Sequence, residues 1–168
     1  IRMGLHKNFP TDPFTIINPS MRWTPGAAKT SKEKQFLLPP LVHKIRNSIY
    51  EWRNSNYDGI SPTSKSLLDF WFKTEHNNNF KYYFAQRESV ETIIYLYENQ
   101  EIRSNNDLLK FDHTGTLVDD SFSENWLRLV LKQATGTGKT KVLSLLMVWS
   151  YFNKMYEPHS ALSRNFLL

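Results

Sequence analysis

A glycine loop set between two apolar runs constrains this chain more than any other feature. Gln133-Ala134-Thr135-Gly136-Thr137-Gly138-Lys139-Thr140 follows the short run Trp126, Leu127, Leu129, Val130 and Leu131. It precedes Val142, Leu143, Leu145, Leu146, Val148, Trp149 and Phe152. A short, mostly apolar run suits a strand buried on both faces, as in a parallel sheet. The longer run is apolar almost all round, which marks a buried helix. Phe166-Leu167-Leu168 would open the next strand. Strand, glycine loop, helix, strand is the opening βαβ unit of a P-loop domain, so the expected fold class is α/β.

The loop carries its own chemistry. Gly136 and Gly138 supply backbone conformations that side chains forbid and let the chain approach a phosphate closely. Lys139 can reach the outer phosphates and Thr140 can ligate Mg²⁺. The helix that starts there points the positive end of its dipole at an anion. No Asp or Glu occurs from residue 125 to 156, whereas Arg128, Lys132, Lys139, Lys141 and Lys154 do. The candidate nucleotide-binding residues are therefore Thr135, Gly136, Thr137, Gly138, Lys139 and Thr140, with ATP and Mg²⁺ as the expected cofactors and Lys139 and Thr140 as the catalytic pair. One departure is plain: the general pattern is G-x-x-x-x-G-K-[ST], and Gln133 holds the first glycine position. The competing reading, a glycine turn that binds nothing, is weakened by the apolar runs on either side.

Upstream, the pattern is helical. Residues 1–35 hold four of the eight prolines and read as an extended arm, packed through Phe9, Phe14, Ile16, Ile17 and Trp23. Leu41, Val42, Ile45, Ile49 and Trp52 then fall on one helical stripe. Ser61 can cap a second helix with Pro62 at its first position, and Leu67, Leu68, Trp71 and Phe72 as its apolar face. Residues 86–97 read as a third, with Val90, Ile93, Ile94 and Tyr97 inward. Residues 103–123 are polar and turn-rich, with a candidate hairpin of 108–111 and 116–118. The division expected is an arm over 1–35, a helical accessory region over 36–79 and a P-loop domain from 80 to 168.

Composition excludes several functions. The chain has 168 residues, 40% of them hydrophobic, which is enough for one domain with a sizeable core. No cysteine is present, so disulfides, thiolate zinc sites and cysteine nucleophiles are ruled out. None of the five histidines pairs at metal-ligand spacing. The net charge of +5 favours polyanionic partners weakly. Lys29, Lys32, Lys34, Lys44, Arg46 and Arg53 could contact DNA phosphate or form a solvated basic face. The first residues lack a secretory h-region, and the longest apolar run is too short to span a bilayer. The chain opens on Ile1 and closes on an apolar run, and so reads as a piece of a longer protein.

Gln-Ala-Thr-Gly-Thr-Gly-Lys-Thr resembles motif I of superfamily 2 helicases and translocases, in the restriction-enzyme branch, where the first glycine is commonly replaced. Residues Phe80-Lys81-Tyr82-Tyr83-Phe84-Ala85-Gln86-Arg87-Glu88, running on through Glu91-Thr92-Ile93-Ile94, resemble the glutamine segment that precedes motif I in type III restriction subunits. Residues 38–46 and 162–168 read like the same group. The resemblance implies an N-terminal fragment, ending just after motif I, of a RecA-like, ATP-driven motor that moves on double-stranded DNA before endonuclease cleavage. It also implies a methyltransferase or specificity subunit as partner, a prokaryotic cytoplasm and no membrane. Gln86 would read adenine through its amide, with Tyr83 or Phe84 supporting the base.

The motor's remaining groups are not here. Such enzymes need an Asp-Glu motif and arginines from a second domain; the resemblance places these beyond Leu168, and the chain holds no adjacent Asp-Glu pair. Restriction-type nuclease centres usually carry an acid two residues before a lysine, and no lysine here has one, so a nuclease function is unsupported within these residues. The fragment alone is therefore expected to be inactive. Two alternatives stay open: a nucleotide kinase, which would place the loop nearer its N-terminus, and a non-catalytic nucleic-acid-binding or assembly module with a structural nucleotide site.

Overall fold

The computed structural model describes residues 12–21, 40–118, 121 and 126–166. Four α-helices organise it: α1 (Val42–Asn54), α2 (Pro62–Phe72), α3 (Phe84–Ile94) and α4 (Lys139–Tyr156). Short 3₁₀ turns occur at Pro19–Met21, Asn77–Asn79 and Asn106–Phe111. Helix α3 is central. It packs against α1, α2 and α4, and α4 also lies against α2.

Local chemistry sets these elements. At the start of α2 the Ser61 hydroxyl accepts the Ser64 N–H at 3.2 Å, and Pro62 occupies the first helical turn, where its missing N–H costs nothing. The chain leaves α1 through Asn56 and Tyr57, both in the left-handed region. Tyr57 is buried in the core all the same, its ring edge-on to Trp52. At the end of α3 the helix widens into a π-helical turn, Tyr95–Asn99. Such turns are rare and short; this one carries Glu98 toward α2 and α4.

One hydrophobic core joins the helices. Ile49 and Trp52 of α1, Leu68 and Trp71 of α2, Val90 and Ile94 of α3, and Val142, Leu145 and Trp149 of α4 meet in it. Two polar networks cross it. The Glu91 carboxylate, fully buried, accepts from Arg53 Nε at 3.0 Å, Arg87 Nε at 2.8 Å and Tyr57 Oη at 2.6 Å. Burial raises the Tyr57 pKa, and the Glu91 charge raises it further. Burial alone would lower the Arg87 pKa, but the Glu91 charge and its hydrogen bond outweigh that, and it is raised. The second network is centred on Glu98, which accepts from Ser61 N at 2.9 Å, Trp149 Nε1 at 2.9 Å, Asn153 Nδ2 at 2.8 Å and the Ser64 hydroxyl. It fastens α4 to α2.

The α/β expectation, with an incomplete RecA-like βαβ unit, is overturned: the described residues contain no β-strand. Residues 126–131 belong to no regular element, and burial alternates along them. Leu127, Leu129 and Leu131 pack on the core, while Trp126 and Val130 are 57% and 72% exposed. The segment thus has one packed face rather than two. No backbone N–H or carbonyl of Leu129, Val130, Leu131 or Lys132 is hydrogen-bonded within the described residues. Apolar alternation makes a segment extended, but a strand exists only where a second backbone pairs with it. The hairpin fails for a related reason: Leu108 and Phe111 are spent on a 3₁₀ helix that drops both into the core. The second expected strand lies at the limit of the described residues; Phe166 is not in a strand, and Leu167 and Leu168 fall outside them.

Helix α4 departs from the all-round burial its sequence suggests. Val142, Leu145 and Trp149 are buried, but Leu143, Val148, Tyr151, Phe152, Met155 and Tyr156 are exposed. No helix among the described residues is long and apolar enough to cross a membrane. Of the expected arm, Phe14 and Ile16 are exposed and Ile17 half-buried, while Phe9 and Trp23 lie outside the described residues.

Candidate functional site

The site is built where residues 133–140 turn into α4 beside the start of α3. Gly136 and Gly138 both adopt left-handed backbone, with φ of 81° and 79°. That conformation strains any residue with a Cβ. Gly138 is doubly required, because a Cβ there would overlap the Gln86 amide nitrogen. Gly136 has open space around it, so its φ alone explains glycine.

The turn leaves donors unused. The backbone N–H groups of Gly136, Gly138, Lys139 and Thr140 make no hydrogen bond within the described residues. Gly138 caps α4 without a side chain, so the helix's first N–H groups are not capped internally. The Lys139 ammonium folds back over the loop, donating to the Gln133 and Ala134 carbonyls at 3.0 Å each. Loop donors, a lysine and an uncapped helix start thus lie within five consecutive residues, 136–140. Thr140 is exposed there, and its hydroxyl makes no hydrogen bond within the described residues. Thr135 is exposed as well. No cluster of three or more acidic or histidine side chains that could hold a metal ion occurs among the described residues. Thr140 therefore stands as the sole candidate for Mg²⁺ that the sequence offered.

A cleft of about 360 Å³ opens next to the loop. Thr135, Gly136 and Thr137 form one wall; Tyr83, Phe84 and Ala85 form another; Asp12, Pro13 and Ile17 complete it. The N-terminal segment is pinned there by the Phe84 N–H to the Pro13 carbonyl at 2.8 Å and by the Phe14 and Tyr83 rings at 5.3 Å.

Gln86 lies between cleft and loop, only 7% exposed. Its Nε2 donates to the Thr137 carbonyl at 3.0 Å, and its Oε1 accepts the Tyr83 N–H at 3.0 Å. An amide has two N–H bonds and two lone pairs, so one of each is left. The structure thus brings Gln86 together with Thr137 and Gly138, across 51 residues of sequence.

Sequence reasoning missed the role of Gln133. Its Nε2 donates to Ser89 Oγ at 2.6 Å and to the Ala85 carbonyl at 3.2 Å, and its Oε1 faces the Thr137 hydroxyl at 3.5 Å. The signal was present as the departure from glycine at the first loop position; its partners on α3 were not legible. The proposed basic contacts fare unevenly. Arg53 is buried against Glu91, and Arg46 lies 3.7 Å from Glu88, which removes Arg53 from any DNA-facing surface. Lys44 is exposed; Lys29, Lys32 and Lys34 lie outside the described residues.

Comparison with protein-family models, with curated proteins and with solved structures finds no match.

Proposed function

We propose that this chain binds the triphosphate of ATP, with Mg²⁺, in the loop of residues 133–140, and that it serves an ATP-driven DNA helicase or translocase of type III restriction kind. The observation that carries the reading is the set of unpaired N–H groups at Gly136, Gly138, Lys139 and Thr140, beside an ammonium that already caps the loop. Unpaired donors arrayed at a helix start favour a multiply charged anion. The lysine can trade two neutral carbonyls for phosphate oxygens, a charge-assisted exchange. Thr140 supplies the hydroxyl for Mg²⁺. The neighbouring cleft takes the base, with Tyr83 and Phe84 as its aromatic wall. The remaining N–H and lone pair of Gln86 match the paired acceptor and donor of adenine's edge, provided the cleft opens enough to admit it.

The motor assignment, with double-stranded DNA, a methyltransferase or specificity subunit and a prokaryotic cytoplasm as its setting, rests on the resemblance of the loop and the glutamine segment. The 168 residues hold the phosphates without the acidic motif that hydrolysis needs, so they should bind ATP and not turn it over.

Titration of fluorescent ATP with Mg²⁺ tests the site. Lys139→Ala should weaken binding about 10- to 100-fold, the cost of losing a charged donor to phosphate, with an unchanged far-ultraviolet spectrum. Equal affinity in wild type and Lys139→Ala would refute the phosphate assignment. Rapid DNA-stimulated turnover by these residues alone would refute the division of labour.

A further inference from the structure

We propose that Gln133 is a positioning residue that couples the base cleft to the phosphate loop, so that the two halves of a nucleotide are bound as one unit. This rests on the nucleotide reading above and extends it to a residue that contacts neither half directly.

The geometry is a bracket. Residue 133 begins the loop, yet its side chain turns away from the phosphate concavity and lies along the first turns of α3. On α3 it donates to Ser89 Oγ at 2.6 Å and to the Ala85 carbonyl at 3.2 Å. Ser89 Oγ in turn donates to the same Ala85 carbonyl at 2.8 Å, so three groups share one small network. Ala85 is also a wall of the cleft. From the other side, Gln86 holds the Thr137 carbonyl at 3.0 Å, while the Thr137 hydroxyl faces Gln133 Oε1 at 3.5 Å and bonds the Ala134 carbonyl at 2.7 Å. Thr137 is thus tied to α3 directly at its backbone, through Gln86, while its side chain lies beside Gln133, which is itself bonded to α3. The two cleft walls, 83–85 and 135–137, have their spacing set by these two glutamines.

A glycine at 133, as the general loop pattern has, would leave one tie of the two. The phosphate N–H groups could still form, since they come from Gly136, Gly138, Lys139 and Thr140. What would be lost is the fixed distance between the loop and Ala85. A nucleobase entering the cleft must touch both walls, so it would no longer favour the phosphate-binding geometry. Inorganic tripolyphosphate, which has no base, would not notice.

That asymmetry makes the test. Affinities of ATP and of inorganic tripolyphosphate, each with Mg²⁺, are measured on the 168-residue chain and on Gln133→Met, which keeps the volume but loses the amide. The amide makes one or two net hydrogen bonds, so ATP should weaken about 5- to 10-fold while tripolyphosphate changes less than about twofold. Ser89→Ala should reproduce part of the effect. It should add nothing in the double variant, because both remove the same link. Gln133→Gly provides a second variant if Gln133→Met proves unstable by thermal melting. Equal weakening of both ligands would overturn the coupling and leave Gln133 as a loop-shaping residue, with the nucleotide site intact. Additive effects of the two substitutions would overturn it as well. Wild-type chain that binds neither ligand would overturn the nucleotide site itself, and the coupling with it.

Discussion

The layer of α1, α2 and α3 and the segment from 126 to 166 use opposite rules for what goes inside. In the layer, charged groups are internal: Arg53, Glu88 and Glu91 are buried, and Glu91 has no exposed surface at all. In the later segment, apolar groups are outside: Val130 is 72% exposed and Tyr156 is 65%. Residue type does not explain the contrast, because Glu91 is the more polar and Val130 the more apolar. Neighbours explain it. Helix α3 has helices on three sides, and any side chain pointing inward must find a partner there; two guanidinium groups and a phenol supply it for Glu91. Among the described residues, helix α4 and the run at 126–131 have packing partners on one side. The same contrast separates the loop from the framework. Glu91 and Glu98 of the framework are fully engaged, whereas among the described residues the loop leaves the N–H groups of Gly136, Gly138, Lys139 and Thr140 without a partner, at the cost of two left-handed residues.

The largest test of this contrast is Glu91→Ala. Removing the carboxylate leaves Arg53 and Arg87 without their shared partner, and a broken buried pair costs about 3–5 kcal/mol. Urea denaturation should show that loss; a change under about 1 kcal/mol would mean the network is hydrated and the contrast weaker than described. Next comes a paired comparison on α4. Leu145→Ala, at a buried position, should cost about 2–5 kcal/mol, while Tyr151→Ser, on the exposed face, should stay within about 0.5 kcal/mol. Similar values for the two would show that both faces of α4 are packed.

Trp149→Phe should cost less, about 1–2 kcal/mol. An aromatic ring is kept, though a smaller one, and Nε1 no longer donates to Glu98 and Ser64. An unchanged unfolding midpoint would show that the Glu98 network does not hold α4 in place. The smallest effect is local. Asp112 accepts from Thr114 and from the Leu117 N–H, and these bonds lower its pKa from 3.8 to about 2. A depressed carboxyl stabilises the fold above its unfolded value and ceases to as pH falls through the folded one. The turn at 112–117 should therefore keep its amide chemical shifts down to about pH 4 and lose them between there and about pH 2. Loss near pH 5 would show that the turn does not depend on this carboxylate.

Some of this was legible beforehand. Ser61-Pro62 announces a helix start because capping is a matter of two adjacent residues. The α1 stripe of Ile45, Ile49 and Trp52 is periodic, and periodicity is a property of the chain itself. The left-handed Gly136 and Gly138 follow from a loop that needs close backbone approach. The rest depended on residues distant in sequence. Leu127, Leu129 and Leu131 do face the core, but a strand requires a second backbone, and the described residues provide none. The π-turn at Tyr95–Asn99 has no simple local signature; its consequence, Glu98 meeting Ser61, Ser64, Trp149 and Asn153, spans 92 residues from Ser61 to Asn153. Gln133 was legible as a departure from the glycine pattern, but not its partners Ala85 and Ser89.

The sequence by itself determined the local chemistry of this protein: where helices begin, where backbone must be left-handed, and which loop sets a lysine beside a glycine turn. Those depend on interactions within a few residues, which the order of amino acids contains directly. Tertiary structure alone decided that Glu91 is buried against Arg53, that one face of α4 is exposed, that the run at 126–131 pairs with no second backbone among the described residues, and that Gln86 and Gln133 join the loop to α3. The contacts among these join segments 38 to 51 residues apart. Such contacts form only when the whole chain has chosen its packing.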